Sequence, residues 1–341
     1  MWSRLLLLAV SLGVVLGISE CALRAWSPLY LVGIQDAYQY DEELGYRYAP
    51  GIHRYKLTDH LEEIRTNEIG SFHFQEHFDG YGALVFALGD SYTEGVGVSA
   101  DASYPFQLDL LLNLDADGRY VERYGVVNLG LAAYGTEQSF RAAKRWAGLL
   151  RPPKFVLYFG CDNDWDDDVL FRSGYRHQHF VKGSPVWEPF VGTLLWLGEF
   201  ELVKRAKYAV SEVRHSRRVQ KHTPRAEGPG PSVAERVWPA LEQIVELSRE
   251  WDATLVLGWA NPRSDSYAWL KAKAAAEGIP FADWAPAMES VRAEMPDLNY
   301  ANPHSGGHWR PWTNGVIARS YARSMGVWEP ARVRDPVQSA R

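Results

Sequence analysis

Ala83-Leu-Val-Phe-Ala-Leu-Gly-Asp-Ser-Tyr-Thr-Glu-Gly95 is the stretch on which the fold turns. Its first six residues are apolar without interruption, the pattern of a strand buried on both faces of a parallel sheet. Gly89-Asp-Ser91 ends that strand, and the chain after Gly95 and Gly97 is compatible with a helix. A serine at the carboxyl end of a buried strand stands where open α/β sheets gather their ligands. At a turn leading into a helix its hydroxyl points outward, and backbone N–H groups beside it can meet a developing oxyanion. Gly-Asp-Ser is also ordinary turn chemistry. The rest of the chain decides.

Working outward, Ser103 to Leu114 has proline in its first turn and apolar residues at helical spacing. Tyr124 to Leu129 reads as a second buried strand, followed by the loop Gly130 to Gln138 and a helix through Leu150. Lys154 to Gly160 is a third strand, with Cys161-Asp-Asn-Asp164 at its end. Val237, Leu241, Ile244 and Leu247 keep helical spacing, Pro239 marking an irregularity in its first turns. Ala253 to Leu257 is a fourth strand, Ser264 caps a helix through Ala276, and Ile279 to Ala282 gives a short fifth strand. Strands alternating with helices predict a three-layer α/β/α architecture around a central parallel sheet.

These blocks carry a resemblance. Gly89-Asp-Ser-Tyr-Thr-Glu-Gly95 resembles the first block of the SGNH/GDSL hydrolases, which implies Ser91 as nucleophile and a flavodoxin-like fold. Asn128 to Ala133 is similar to the second block, Asn-x-Gly-x-x-Gly, whose last residue gives a backbone N–H to the oxyanion hole. That position is Ala133, with Gly135 the neighbouring alternative. Gly160-Cys-Asp-Asn-Asp164 resembles the third block, Gly-x-Asn-Asp, stretched by one residue, which implies an amide donor at Asn163. A neutral amide stabilises a forming negative charge without being titrated away. The last block runs from Asn302 to Ala318, and the spacing of His308-Trp309 to Val316-Ile-Ala318 implies His308 as base, ahead of His304. Imidazole suits a proton taken from serine and returned to an alcohol. The oxyanion hole would then be the Ser91 N–H, the Ala133 N–H and the Asn163 amide, with Asp90, Gly135, Asp164 and His304 as candidate supporting residues.

The acid that such a histidine usually carries is missing. Positions −2 and −3 from His308 are Gly306 and Ser305, and those before His304 are Asn302 and Ala301. A Ser–His dyad steadied by a carbonyl, an acid from elsewhere such as Asp297, and an inactive fold all stay open. The chemistry needs no cofactor. Two metal patterns compete weakly: the acidic run Asp162 to Asp168 lacks the glycine and glutamate of a calcium loop, and His304-x-x-x-His308 has Ser-Gly-Gly inside its would-be zinc helix.

The 341 residues, 46% hydrophobic, can hold one large domain or two small ones. A net charge of −6 gives no electrostatic footprint for nucleic acid. Two cysteines, Cys21 and Cys161, make no disulfide framework. Leu5 to Leu23 is apolar except for Glu20, flanked by Arg4 and Arg24, and is about the length of a spanning helix. With no small-x-small site after it, residues 1–24 read as an uncleaved signal anchor, the remainder being placed outside the cytoplasm, in a periplasm-like compartment. The flanking arginines balance and fix no orientation.

Residues 25–80 form a β-rich lead-in; its Arg65 to Gly70 resembles a segment preceding the first catalytic strand of membrane-anchored members, and carries no chemistry. Residues 81–325 form the hydrolase domain, interrupted at 171–231 by an aromatic and basic insertion, and 326–341 are a tail. The insertion reads as a solvated helix and loop, or as a lid meeting an anionic membrane or glycan. The resemblance implies an ester hydrolase acting through acyl-Ser91 on small-molecule or carbohydrate esters, O-acetyl groups on cell-surface polysaccharide first. An O-acyltransferase using the same serine, and a catalytically impaired, tethered glycan-binding protein, are the alternatives.

Overall fold

The structure, a computed structural model, describes residues 2–26, 37–57, 61–73, 76–115, 117–174, 193, 196–198, 200–206, 209–210, 230–302 and 307–328. The chain starts with helix α1 (Trp2–Trp26), long and apolar enough to cross a membrane. Two antiparallel pairs follow, β1 (Tyr38–Asp41) with β2 (Gly45–Tyr48), then β3 (His53–Leu57) with β4 (Leu61–Arg65). Tyrosines at 38, 40, 46 and 48 alternate with polar or small residues, the period-2 pattern of a half-buried strand.

The core begins with β5 (Ala83–Gly89), short helix α2 (Ser91–Glu94), helix α3 (Tyr104–Asn113) and β6 (Tyr124–Asn128). Helix α4 (Thr136–Leu149), β7 (Phe155–Gly160) and α5 (Asp164–Arg172) come next. Then come α6 (Val233–Glu250), β8 (Thr254–Trp259), α7 (Asp265–Ala276), α8 (Ala285–Glu294) and α9 (Pro311–Ser324). The four core strands form one parallel sheet in the order β6-β5-β7-β8. Helices α3 and α9 pack together on one side, and α4, α6 and α7 on the other. Leu84 to Leu88 and Val156 to Phe159 are almost wholly inaccessible, as strands covered on both faces require.

The order of the strands places the site. From β5 the chain steps outward to β6 and then crosses back to β7, so β5 and β7 flank the topological switch point. Ligand crevices in such sheets open there, beyond the carboxyl ends of the strands. Register holds those ends level: Ala87 pairs with Asn128, Gly89 with Phe159 and Gly160 with Trp259.

One local expectation is corrected. The fifth strand at Ile279 to Ala282 contracts to one parallel bridge, Leu257 with Phe281. The Pro280 carbonyl accepts from Leu257 and the Ala282 N–H donates to Leu257, but Pro280 has no N–H with which to extend a ladder. The helix expected after Gly95 and Gly97 is α3; before it lies the short helix α2, which begins at Ser91 itself because the Asp90 carboxylate accepts the Tyr92 N–H at 2.9 Å and caps it.

Candidate active site

Gly89 makes the sharp exit from β5 at φ +147°. A Cβ there would lie 2.4 Å from Thr93 Oγ1 and 2.5 Å from the Phe159 carbonyl, so only glycine lets the turn close against the neighbouring strand. Asp90 is fully buried beneath it. Ser91, the first residue of α2, keeps a half-buried side chain, and its N–H precedes any intrahelical acceptor.

His308 Nε2 lies 2.7 Å from Ser91 Oγ, across 217 residues of sequence. Several bonds position the histidine. The Asn302 N–H donates to the His308 carbonyl at 2.7 Å, and Asn302 Nδ2 donates to the Gly97 carbonyl at 2.7 Å, joining the histidine loop to the turn after α2. Asn314, on α9, donates to the Trp309 carbonyl and accepts the Tyr104 N–H. The imidazole lies 4.7 Å, centroid to centroid, from the Tyr92 ring, which also contacts Trp309. His304 lies outside the described residues.

Ser91 Oγ is also 3.2 Å from Asp90 Oδ2. The hydroxyl has a single proton, so it donates to one neighbour at a time. With imidazole neutral, Ser91 donates to His308; with imidazolium formed, Nε2–H donates to Oγ and the serine proton is free to turn to Asp90. Burial pushes the Asp90 carboxyl up to about 6, and the nearby Asp167 charge adds to the rise. The Tyr92 N–H and side-chain bonds from Cys161 and Ser91 oppose it.

The loop after β6 brings the second donor. Ala133 has φ +60°, the left-handed region in which glycine is the easiest residue. Its N–H finds no acceptor among the described residues. The Gly135 N–H differs: it caps α4 by donating to Gln138 Oε1 at 3.3 Å. Gly135 is glycine for another reason, since a Cβ there would meet Asp168 Oδ1 at 2.2 Å. The Leu131 N–H donates to the Gly89 carbonyl at 3.2 Å, which docks the loop against the nucleophile turn.

Asn163 stands at the amino end of α5. One proton of its amide is given to Asp167 Oδ2 and its oxygen accepts from the Cys161 thiol, so the side chain is held and a second N–H remains to donate. Asp164 is buried; it accepts the Tyr158 hydroxyl at 2.6 Å and the Cys161 N–H at 3.1 Å, and fixes the loop after β7. Burial first, then the Asp90 charge, push its carboxyl well above the ordinary range. Asp162 accepts from Trp259 Nε1 and Asn261 Nδ2.

Asp297, the remote acid considered from the sequence, is exposed in the turn after α8 and makes no hydrogen bond or ion pair with the imidazole. Among the described residues no carboxylate hydrogen-bonds to His308, and no group of His, Cys, Asp and Glu is arranged to hold a metal. Of the insertion, Trp196 and Phe200 pack edge to face, whereas Trp187, Phe190, Lys207 and the basic residues from Arg214 to Arg225 lie outside the described residues.

Sequence reasoning missed Glu94. Its carboxylate, 5% exposed, receives the Tyr38 and Tyr48 hydroxyls and the Ala132 N–H. A charged residue one position before the glycine that ends a helix gave the only signal.

No family model matches the chain, and no curated protein matches it. Solved structures do. A member of the lipolytic protein G-D-S-L family from Veillonella parvula is 13% identical, with a TM-score of 0.40 over 70% of this chain and 96% of that one. An α/β hydrolase enzyme from the metagenome of Lake Arreo is 15% identical, TM-score 0.42, over 74% and 99%. The psychrotrophic esterase EstA from Pseudoalteromonas sp. is 12% identical, TM-score 0.38, over 72% and 97%. These figures do not bear on activity, and the functional reading rests on the site's own geometry.

Proposed function

We propose that the chain is a serine ester hydrolase of SGNH/GDSL type, with Ser91 as nucleophile and His308 as general base and acid. The observation that carries this reading is the 2.7 Å contact between Ser91 Oγ and His308 Nε2 at the carboxyl edge of a parallel sheet. Ser91 Oγ attacks the ester carbonyl carbon as its proton passes to His308 Nε2. The negative charge gathers on the former carbonyl oxygen, facing the Ser91 N–H, the Ala133 N–H and the Asn163 amide. Collapse expels the alcohol, which takes the proton from His308. Water then attacks acyl-Ser91 by the same route, giving the free acid and restoring the serine.

The bonds through Asn302 and Asn314 hold the imidazole loop, a task that a carboxylate partner shares in a triad. Small acyl esters are the substrate class, with O-acetyl groups on cell-surface carbohydrate first, following the family resemblance. The length and composition of the apolar helix α1 support an anchored protein.

Hydrolysis of p-nitrophenyl acetate by the full chain in detergent tests the reading. Ser91→Ala and His308→Ala, each checked for folding, are expected to lose about 10³-fold or more of kcat. A parent with no Ser91-dependent turnover and no acyl-enzyme sinks it. With an acetylated glycan and a free acceptor sugar both supplied, released acetate supports the hydrolase, and transfer with little acetate supports the acyltransferase. For the anchor, the full chain is expected to stay in the membrane pellet through alkaline carbonate washing; release into the supernatant overturns that part.

A further inference from the structure

The tyrosine hairpin β1–β2 is bonded to the two loops that carry the proposed chemistry. Tyr38 donates to Glu94 Oε1 at 3.0 Å, and Tyr48 donates to the same oxygen. The other oxygen, Oε2, accepts the Ala132 N–H. Tyr46 donates to the Ala132 carbonyl and Tyr134 donates back to the Tyr46 carbonyl, so the main-chain N–H and C=O of Ala132, which lie in successive peptide units, are both held. Glu94 lies three residues after Ser91 and Ala132 one residue before Ala133. A single carboxylate therefore joins the helix of the nucleophile to the loop of the second oxyanion donor.

Packing and hydrogen bonds act together here: Tyr38, Tyr46 and Tyr48 share one buried cluster with Leu131 and Tyr134 of the loop, the Tyr46 and Tyr134 rings lying 5.5 Å apart. Ala133 also needs restraint, because its left-handed backbone is costly for a residue with a Cβ. The Ala132 N–H to Glu94 bond fixes the 131–132 peptide, and Tyr46 holds the carbonyl of the 132–133 peptide that bears the Ala133 N–H.

We propose that Glu94 is a positioning residue for the reaction: held by Tyr38 and Tyr48, it fixes Ala132 so that the Ala133 N–H faces the oxyanion. This rests on the ester-hydrolase reading of Ser91. Glu94 touches neither substrate nor reacting atoms. Its effect passes through a donor that is engaged only once the tetrahedral oxyanion forms, so kcat should change and KM should not.

The test is Glu94→Gln in the full chain, with p-nitrophenyl acetate kinetics, thermal unfolding and inhibition by a small alkylboronic acid, whose tetrahedral adduct on Ser91 mimics the oxyanion. The amide keeps one acceptor oxygen but turns an NH₂ towards one set of donors. The expected result is a fall in kcat of roughly tenfold to a hundredfold, up to the scale of one lost oxyanion donor. KM should be unchanged and boronate affinity should fall by a factor similar to that of kcat. Tyr48→Phe, which removes a donor to Glu94 together with the hydroxyl's bond to Tyr38, is the second variant should Glu94→Gln fold poorly, and it should lower kcat in the same direction. A folded variant with parental kcat and boronate affinity overturns the proposal while leaving the hydrolase reading in place. Loss of kcat and boronate affinity only in proportion to unfolded protein overturns it too. A parent lacking Ser91-dependent turnover overturns both.

Discussion

Ala133 carries a φ of +60° where the resembled motif has glycine, and that single angle explains why glycine is the easier residue there. A backbone donor needs the angle, not the absence of a side chain, so alanine meets the chemical need at some cost in strain. Left-handed alanine costs roughly 1–2 kcal/mol, and replacement by glycine gives back about 0.4–1 kcal/mol of that through the freer unfolded chain. Ala133→Gly is therefore expected to be neutral to about 1 kcal/mol more stable in urea unfolding, with esterase kcat retained. A variant clearly less stable than the parent would show that Ala133 does not hold this angle in solution. Ser91, Asn163 and His308 could be proposed from sequence because the residue types that chemistry demands stood at the ends of readable strands or at a fixed distance before a readable helix, and the structure brings Ser91 and His308 into contact. Choosing between Ala133 and Gly135 was not legible, because it depends on which N–H is already engaged. The acid was not legible either: no spacing around His308 supplies a carboxylate, and the described residues bring none to it.

Among the elements, those that follow from burial were read well and those that follow from hydrogen bonding less so. β5, β6, β7 and β8 are apolar runs, and two covered faces leave little choice of conformation. The segment at Ile279 to Ala282 looked similar, yet its single bridge was decided by the missing N–H of Pro280 and by its place beyond β8. The β-rich lead-in was visible as alternating tyrosines, but its partners were not, since phenol-to-carboxylate bonds such as Tyr38 to Glu94 span 56 residues and leave no local period. Helix α1 shows the same limit at its one acidic residue: Glu20 accepts from Arg24 at 2.7 Å and from the Glu201 and Leu202 N–H groups at 2.9 and 3.1 Å. The sequence marks Glu20 as an exception, and only the fold supplies the start of the 201–206 helix that it caps.

Across the whole molecule, the carboxyl edge of the sheet gathers buried acids around a site proposed to stabilise negative charge. Asp90 and Asp168 are both pushed up to about 6, burial being the first cause in each, and Asp164 is also raised. Such groups make stability depend on pH in a definite direction. Asp90 has a folded-state pKa above its ordinary value of 3.8, so the folded chain holds that proton more tightly than the unfolded chain does. Below about pH 4 both states are protonated and the carboxyl costs nothing. Between about pH 4 and 6 the unfolded chain ionises first, and this contribution to stability falls as pH rises. Above about pH 6 both states are ionised and the full cost of a buried charge facing Asp167 remains. Asp90→Asn keeps an oxygen to cap Tyr92 and removes that titration. Its stability relative to the parent should therefore rise between about pH 4 and 6, by on the order of 2–3 kcal/mol, and then stay level. Urea unfolding of both proteins across that range reads the difference directly, whatever constant offset the amide introduces. A difference that does not change with pH would mean that Asp90 ionises as an ordinary carboxyl does, and that the ground beneath Ser91 is wetter than the structure shows.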